Sequence, residues 1–496
     1  MSKENVVRIL SVKLKSFKNV AEGKIELYCG RLFDKDKSNR ESAFTGSDIL
    51  GVFGPNASGK SAVIEAISIL KFLMSGKPLP SVYGDCIAIG EECAELEFVF
   101  GMSCQNGFRK VTYSFCLGFN SATSAGFFNR GINGEASDAD VDSSDVLTSD
   151  GFFSPIKNKK LLISNEKISL MWEKAQKREN WPPIIDTSNE SVFTSETKRK
   201  KLVGDDRKNL EALNRSNDSA KWESRSFVFA EDTLNILTEQ GDKSIPLAEV
   251  LSDLKHYAIN FLHVLDTKSL MYVSGLTIPI HTETAGLIVF DVMRPIPIST
   301  KYLLEVEDEV SKIGSVIEAL VPNMTIGLKE LSHSFDRQTG EPVFLTILNV
   351  RRNGRDIPIR YESAGVKRII SVLSFLIQVF NKPSATVAID DLDAGICEFL
   401  FGELIEVFER NGKGQLLFTS HNFRPLEKIK NKKFIFFTTT NAGNKYARKT
   451  DIFKSNNLRD KYLEEGVDKK KKDEWQKAIN AVETALKKAG GDDINN

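Results

Sequence analysis

Hydrophobic and polar positions alternate with period two over residues 7–17 and 23–28, and a short unbroken apolar run fills 48–53. Alternation puts successive side chains on opposite faces of a sheet, and a short apolar run reads as a strand covered on both faces. Over 61–74 the period changes, with apolar residues recurring every three or four positions as on one face of a helix. Two more alternating runs, 94–100 and 110–119, flank Gln105-Asn106-Gly107 and predict a hairpin. From about 120 to 160 the chain turns to Ser, Gly, Asp and Asn, the composition of a mobile loop. Residues 160–260 mix helical stretches with charge runs such as Lys198-Arg199-Lys200-Lys201 and are expected to form an insertion. Acidic residues crowd that run, so it reads as a solvated helix face or loop before a nucleic-acid contact. Regular α/β patterning returns from 300 to 440, with strands near 342–350, 356–361, 385–390, 415–420 and 433–438 and a buried apolar helix ending at 380. From about 467 a charged amphipathic helix and a disordered end are expected.

At 496 residues, 41% hydrophobic and 27% charged, the chain suits two or three compact units of a soluble protein. No apolar run approaches the ~20 residues of a membrane span, and the N-terminus lacks an apolar core followed by a cleavage site, so the cytoplasm is the expected location. Six scattered cysteines, without CxxC pairs or histidines at ligand spacing, read as reduced thiols and not as a metal site. Acidic and basic residues number 67 each, which removes the simplest argument for nucleic-acid binding, although a local basic surface is compatible with a neutral chain.

The strongest chemical signal is Gly54-Pro55-Asn56-Ala57-Ser58-Gly59-Lys60-Ser61, which fits G-x-x-x-x-G-K-[ST] between an apolar strand and an apolar-periodic helix. Glycines let such a loop wrap phosphate oxygens, with backbone N–H groups and a helix N-terminus aimed at the anion. Lys60 would neutralise the β/γ charge of a nucleotide, and Ser61 would ligate Mg²⁺.

Three weaker signals follow downstream. Thr386 to Ile389 is an apolar strand ending in Asp390 and Asp391; in a phosphate-loop enzyme the first carboxylate would serve Mg²⁺ and the second would polarise the attacking water. On local grounds a capped turn reads equally well. Ser363 and Gly365, followed by Lys367-Arg368, begin the apolar helix, as either an anion-binding end or an ordinary N-cap. Gln415 to Ser420 is a strand delivering His421, a residue that taken alone is more often structural.

In this order the four signals resemble ABC-type ATPases, and within them the SMC/RecF/OLD branch. The GPNxSGKS loop, the YESxGxKR segment, Leu392-Asp393, the TSHN histidine and the LRDKYLEEG segment carry the resemblance. It implies an α/β fold: an ABC-type phosphate-loop core of mixed sheet and flanking helices, with a helical or irregular insertion between the loop and the signature segment. The implied divisions are an N-terminal lobe (1–120), the insertion (121–300), a C-terminal lobe (301–466) and a charged tail (467–496). Ser363, Gly365 and Lys367 would meet the γ-phosphate held by another subunit. Asp390 would serve Mg²⁺, Asp391 would stand where the family usually has glutamate, Asp393 would face the dimer, and His421 would be the switch histidine. Gln105 is a candidate glutamine-loop residue, though a turn residue fits it better. Phe17-Lys18-Asn19 resembles the segment near the adenine.

The resemblance implies ATP and Mg²⁺ as ligands, ATP hydrolysis, and at least a dimer, and the shorter carboxylate of Asp391 at the glutamate position implies slow turnover. A carboxylate-rich nuclease domain does not fit into the residues after His421, an arrangement similar to the AriA-type ATPases of PARIS anti-phage systems and to Septu-type ATPases. That implies a sensor and scaffold restraining a separate toxin or nuclease until a phage protein is sensed. The rival expectation is a RecF- or SMC-like repair ATPase that binds nucleic acid directly. A transporter ATPase fits less well, since nothing signals coupling to a membrane.

Overall fold

The computed structural model describes residues 5–27, 44, 46–104, 107–119, 160–174, 177–188, 192–204, 207–240, 245–266, 277–336, 339–430, 435–439 and 444–448. The first stretch gives β1 (Val6–Phe17), β2 (Val20–Glu26), β3 (Asp48–Phe53), α1 (Lys60–Met74), β4 (Cys93–Cys104), β5 (Gly107–Phe119), β6 (Leu161–Lys174) and β7 (Lys177–Asp186). All of these strands except β3 form one antiparallel sheet in the order β2-β1-β4-β5-β6-β7. Helices α2 (Glu196–Val203), α3 (Arg207–Trp222), α4 (Glu231–Gln240) and α5 (Leu247–Asn260) follow.

The second stretch comprises β8 (Leu262–Leu265), β9 (Thr277–His281), β10 (Leu287–Asp291), β11 (Ile296–Ser299), α6 (Thr300–Leu320), β12 (Met324–Phe335), β13 (Pro342–Arg352) and β14 (Arg355–Pro358). It ends with α7 (Ala364–Asn381), β15 (Thr386–Ile389), α8 (Glu398–Asn411), β16 (Gln415–Ser420), α9 (Arg424–Lys428), β17 (Ile435–Thr438) and β18 (Tyr446–Ala447). A central sheet runs β18-β17-β3-β16-β15-β8, with every pair parallel except β17 with β18.

The period of two explains why this sheet is buried on both faces. Along β3, Leu50 and Val52 enter one core with α1 and the antiparallel sheet, while Ile49 and Phe53 enter a second core with α6 and α7. Ala388 and Leu417 likewise face the first core, and Val387, Ile389, Leu416 and Phe418 face the second. Parallel strands covered on both sides read as continuous apolar runs, as these do. Helix α7 is the one described helix long and apolar enough to cross a membrane; here most of its residues are buried, packed beside β9, α6 and β15.

The expected insertion over 121–300 differs from what is observed. Beyond the helices, β6 and β7 extend the antiparallel sheet, and β8 pairs with β15 at the edge of the central sheet. The chain therefore joins the central sheet again at Leu262, ahead of the expected boundary at 301. The charge run lies on α2, where Arg199 and Lys200 both reach Glu196, at 3.5 and 3.6 Å. Cys104 pairs with Gly107 in the expected hairpin. Gln105 and Asn106, the loop expected over 120–159, Cys29, the 458–466 segment and the tail from 467 lie outside the described residues.

Candidate functional site

Parallel strands all present their carboxyl ends at one edge of the sheet, where open α/β sheets place ligands. At this edge β3 runs into the loop Gly54 to Ser61, β15 ends at Asp390, β16 ends before His421, and β17 ends at Thr438. The sequence separates these residues by hundreds of positions, and the strand order brings them together.

The phosphate loop is held from outside by three residues. Asn19 donates to the Ala57 carbonyl (2.6 Å), the buried Tyr446 hydroxyl donates to the Gly59 carbonyl (2.8 Å), and the Thr438 and Ser58 hydroxyls are 2.6 Å apart. Gly59 has φ 100°, and a Cβ there would come within 2.9 Å of the Asn19 amide oxygen, so glycine is required on both counts. Pro55, Asn56 and Ala57 are exposed, whereas Lys60 is buried and donates to the carbonyls of Gly54 and Pro55, each at 3.1 Å. Burial lowers the Lys60 pKa, while Asp391, Asp390 and Asp393 oppose that shift, so the three carboxylates act on the lysine.

Asp390 is buried. Its Oδ1 accepts from the Thr419 hydroxyl, and its Oδ2 is buried with no hydrogen-bond partner among the described residues. Burial raises its pKa against the pull of the Thr419 and Ser61 hydroxyls. A buried carboxylate oxygen without a donor, beside a serine hydroxyl, is the donor set that a hard divalent cation takes up. Asp391 has φ 47°, a left-handed conformation aspartate tolerates better than most residues, and its N–H donates to Thr419 Oγ1 at 2.8 Å. Its half-exposed carboxylate lies 3.6 Å from His421 Nε2.

Asp393, expected to face a partner subunit, has its carboxylate engaged within its own chain. It accepts from the N–H groups of Asn422 (3.0 Å) and His421 (3.3 Å), tying the carboxylate loop to the histidine loop.

At the start of α7, Ser363 is the N-cap and accepts from the Val366 N–H at 3.3 Å, so the capping role is realised. Ser363 and the neighbouring Tyr361 are exposed. Gly365 packs directly on Gly395 of the carboxylate loop, where a Cβ on Gly365 would meet the Gly395 carbonyl at 2.7 Å. Lys367 is half-buried. Arg368 is fully buried and donates to the Asp390 carbonyl at 3.3 Å, and Asp391, Asp390 and Asp393 all act on it. The structure thus brings Arg368 to the carboxylates and leaves Ser363 at the surface.

Sequence reasoning passed over Thr419, Thr438 and Tyr446. Thr419, inside the histidine strand, was the one with a signal, since a hydroxyl at a strand's carboxyl end beside an Asp-Asp strand is placed to bind it. Thr438 and Tyr446 carry no motif. Lys18, in the segment expected near the adenine, makes an ion pair with the buried Glu65 one turn into α1.

No protein-family model matches the chain, and no curated protein matches it. Solved structures resemble it weakly. An Smc head bound to the C-winged helix domain of ScpA is 11% identical, over 90% of this chain and 99% of that one, with a TM-score of 0.35. The SMC head domain from Thermotoga maritima is 12% identical, over 88% and 97%, at 0.32. The recombination mediator RecF with ATP is 12% identical, over 84% and 92%, at 0.30. The strand order and the loop on β3, and not these likenesses, define the fold as a mixed α/β phosphate-loop fold.

Proposed function

We propose that this chain is an ABC-type ATPase that binds ATP with Mg²⁺ on the Gly54 to Ser61 loop and hydrolyses it slowly between two copies. The observation that carries the reading is the convergence of Lys60, Ser61, Asp390, Asp391 and His421 at the carboxyl edge of the parallel strands of one sheet, with the Asp390 Oδ2 buried and unpartnered among the described residues. Backbone N–H groups of the loop and the N-terminus of α1 would take the phosphates, and the Lys60 ammonium would exchange its two loop carbonyls for phosphate oxygens. Ser61 and Asp390 would hold Mg²⁺, whose charge would offset that developing on the phosphates. Asp391, beside His421, would polarise the attacking water. Ser363, Gly365 and Lys367 are exposed or half-buried at a helix N-terminus and would complete the site of a second copy.

The finer reading is that this ATP-gated pair is a sensor and scaffold holding a separate toxin or nuclease until a phage protein disturbs it. Its support is the sequence resemblance to anti-phage ATPases. The rival is direct nucleic-acid binding; Arg199 and Lys200 share the single Glu196 on α2, which leaves that helix with a net positive charge. Three measurements test the proposal. Mg²⁺-dependent ATP binding lost in Lys60→Ala supports the ATP site, and wild-type affinity in that variant rejects it. Co-purification with the product of a neighbouring toxin or nuclease gene supports the scaffold, whereas DNA affinity falling steeply with salt supports the rival.

A further inference from the structure

The far end of α1 carries a second polar cluster, unrelated to the phosphate loop. A cavity of about 280 Å³ opens there, lined by Ser68, Lys71 and Phe72 of α1, Tyr83, His263 of β8 and Phe375 of α7. Lys71 keeps part of its surface open, yet its ammonium is set among enough protein that burial brings its pKa down to about 8, with Lys77, of its own sign, adding to the shift. His263 is only 4% exposed, and its Nε2 is buried with no hydrogen-bond partner among the described residues. Its ring lies 5.0 Å from that of Phe375 and 5.1 Å from that of His281, whose Nδ1 is also buried and unpartnered. Burial first, then Lys71 and Lys382, hold both imidazoles toward the neutral form.

The acids around this cluster are committed elsewhere. Glu283 pairs with Lys382 at 3.2 Å, and Glu309 pairs with Lys312 at 2.7 Å. Asp266 accepts from the Tyr83 hydroxyl at 2.9 Å, and Tyr83 is also 2.6 Å from Ser68 Oγ. Residues 267–276, next in the chain, contain no Asp or Glu. A partly desolvated ammonium without a counter-ion among the described residues, beside an orphaned buried imidazole, is costly to keep, and an anion taking hydrogen bonds from both relieves that cost.

We propose that this cavity binds a small anion with a flat apolar body, of the class of aromatic carboxylates and aryl phosphates, its charge on Lys71 and His263 and its ring against Phe72 and Phe375. The volume lies at the lower end of small-molecule sites, roughly 300 Å³, which limits the occupant to about one ring and its anionic group. The cavity shares α1 with the phosphate loop, eleven residues and therefore about 16 Å along the helix from Lys60.

The test is titration of the full chain with benzoate and phenyl phosphate, with benzyl alcohol as the uncharged control, followed by calorimetry. The anions bind wild type and Lys60→Ala equally, Lys71→Met weakens them about tenfold or more, and benzyl alcohol binds at least as weakly as the anions bind Lys71→Met. Lys71→Met also raises the thermal midpoint without ligand, because it removes a desolvated charge. Absence of anion binding to wild type, equal binding to Lys71→Met, loss of binding in Lys60→Ala, or a lower midpoint in Lys71→Met overturns the proposal.

Discussion

The two sides of the proposed ATP site are built differently. The phosphate-loop side is finished within one chain: its loop is gripped by Asn19, Thr438 and Tyr446, its carboxylates by Thr419, and its histidine loop by Asp393. The signature side presents Ser363 at an exposed helix start whose cap is satisfied only by its own Val366 N–H. A preorganised side can bind ligand alone. An exposed side with backbone donors at a helix N-terminus favours negative charge brought by a partner. The Gly365 to Gly395 contact and the Arg368 bond to the Asp390 carbonyl join the two sides within the chain.

Lys60→Ala should break the finished side outright. It removes the cation that the three carboxylates face, and ATP affinity should fall about a hundredfold by equilibrium binding. Ser363→Arg should break the other side alone: a single copy keeps ATP affinity within about twofold, while ATP-dependent association and steady-state turnover are lost. Survival of turnover in Ser363→Arg would erase the distinction between the two sides. At Asp391 the shorter carboxylate reaches less far toward an in-line water than glutamate would. Asp391→Asn should leave binding intact and stop single-turnover hydrolysis, and Asp391→Glu should raise that rate a few-fold. Because residue 391 sits at φ 47°, a neutral or slower Asp391→Glu would mean that the backbone turn, and not side-chain length, sets the rate. Tyr446→Phe should have the smallest effect. It removes one buried hydrogen bond to Gly59, worth about 1 kcal/mol, and should lower the thermal midpoint by about 2 °C with a matching small loss of ATP affinity.

The sequence was most legible where one period or one motif governs a segment. The apolar run 48–53 is β3 residue for residue, and the strand expected at 415–420 is β16. β6 was not legible because its alternation changes phase: the pairing register shifts between Ile168 and Leu170, and Asn165 adopts φ 51°. A four-residue strand such as β8 is too short for any period, and only its pairing with β15 reveals it as part of the core. At the site, the motifs located Lys60, Asp390 and His421. The residues that fix their geometry, such as Thr438 and Tyr446, come from strands whose spatial neighbours no local pattern encodes. Asp393, assigned by resemblance to the dimer face, has a role that the motif does not reveal: its carboxylate ties the carboxylate loop to its own histidine loop.

The central claim, one ATP site made from two copies, is tested most directly by mixing Lys60→Ala with Ser363→Arg. Neither variant alone can form a complete site. In a mixed pair, the intact loop of the Ser363→Arg chain meets the intact signature helix of the Lys60→Ala chain. Turnover absent from both variants should return on mixing, to about a quarter of the wild-type rate if pairing is random and sites act independently. Pairs shown to contain both variants yet still unable to hydrolyse ATP, or a Ser363→Arg chain that turns over unaided, would contradict the account.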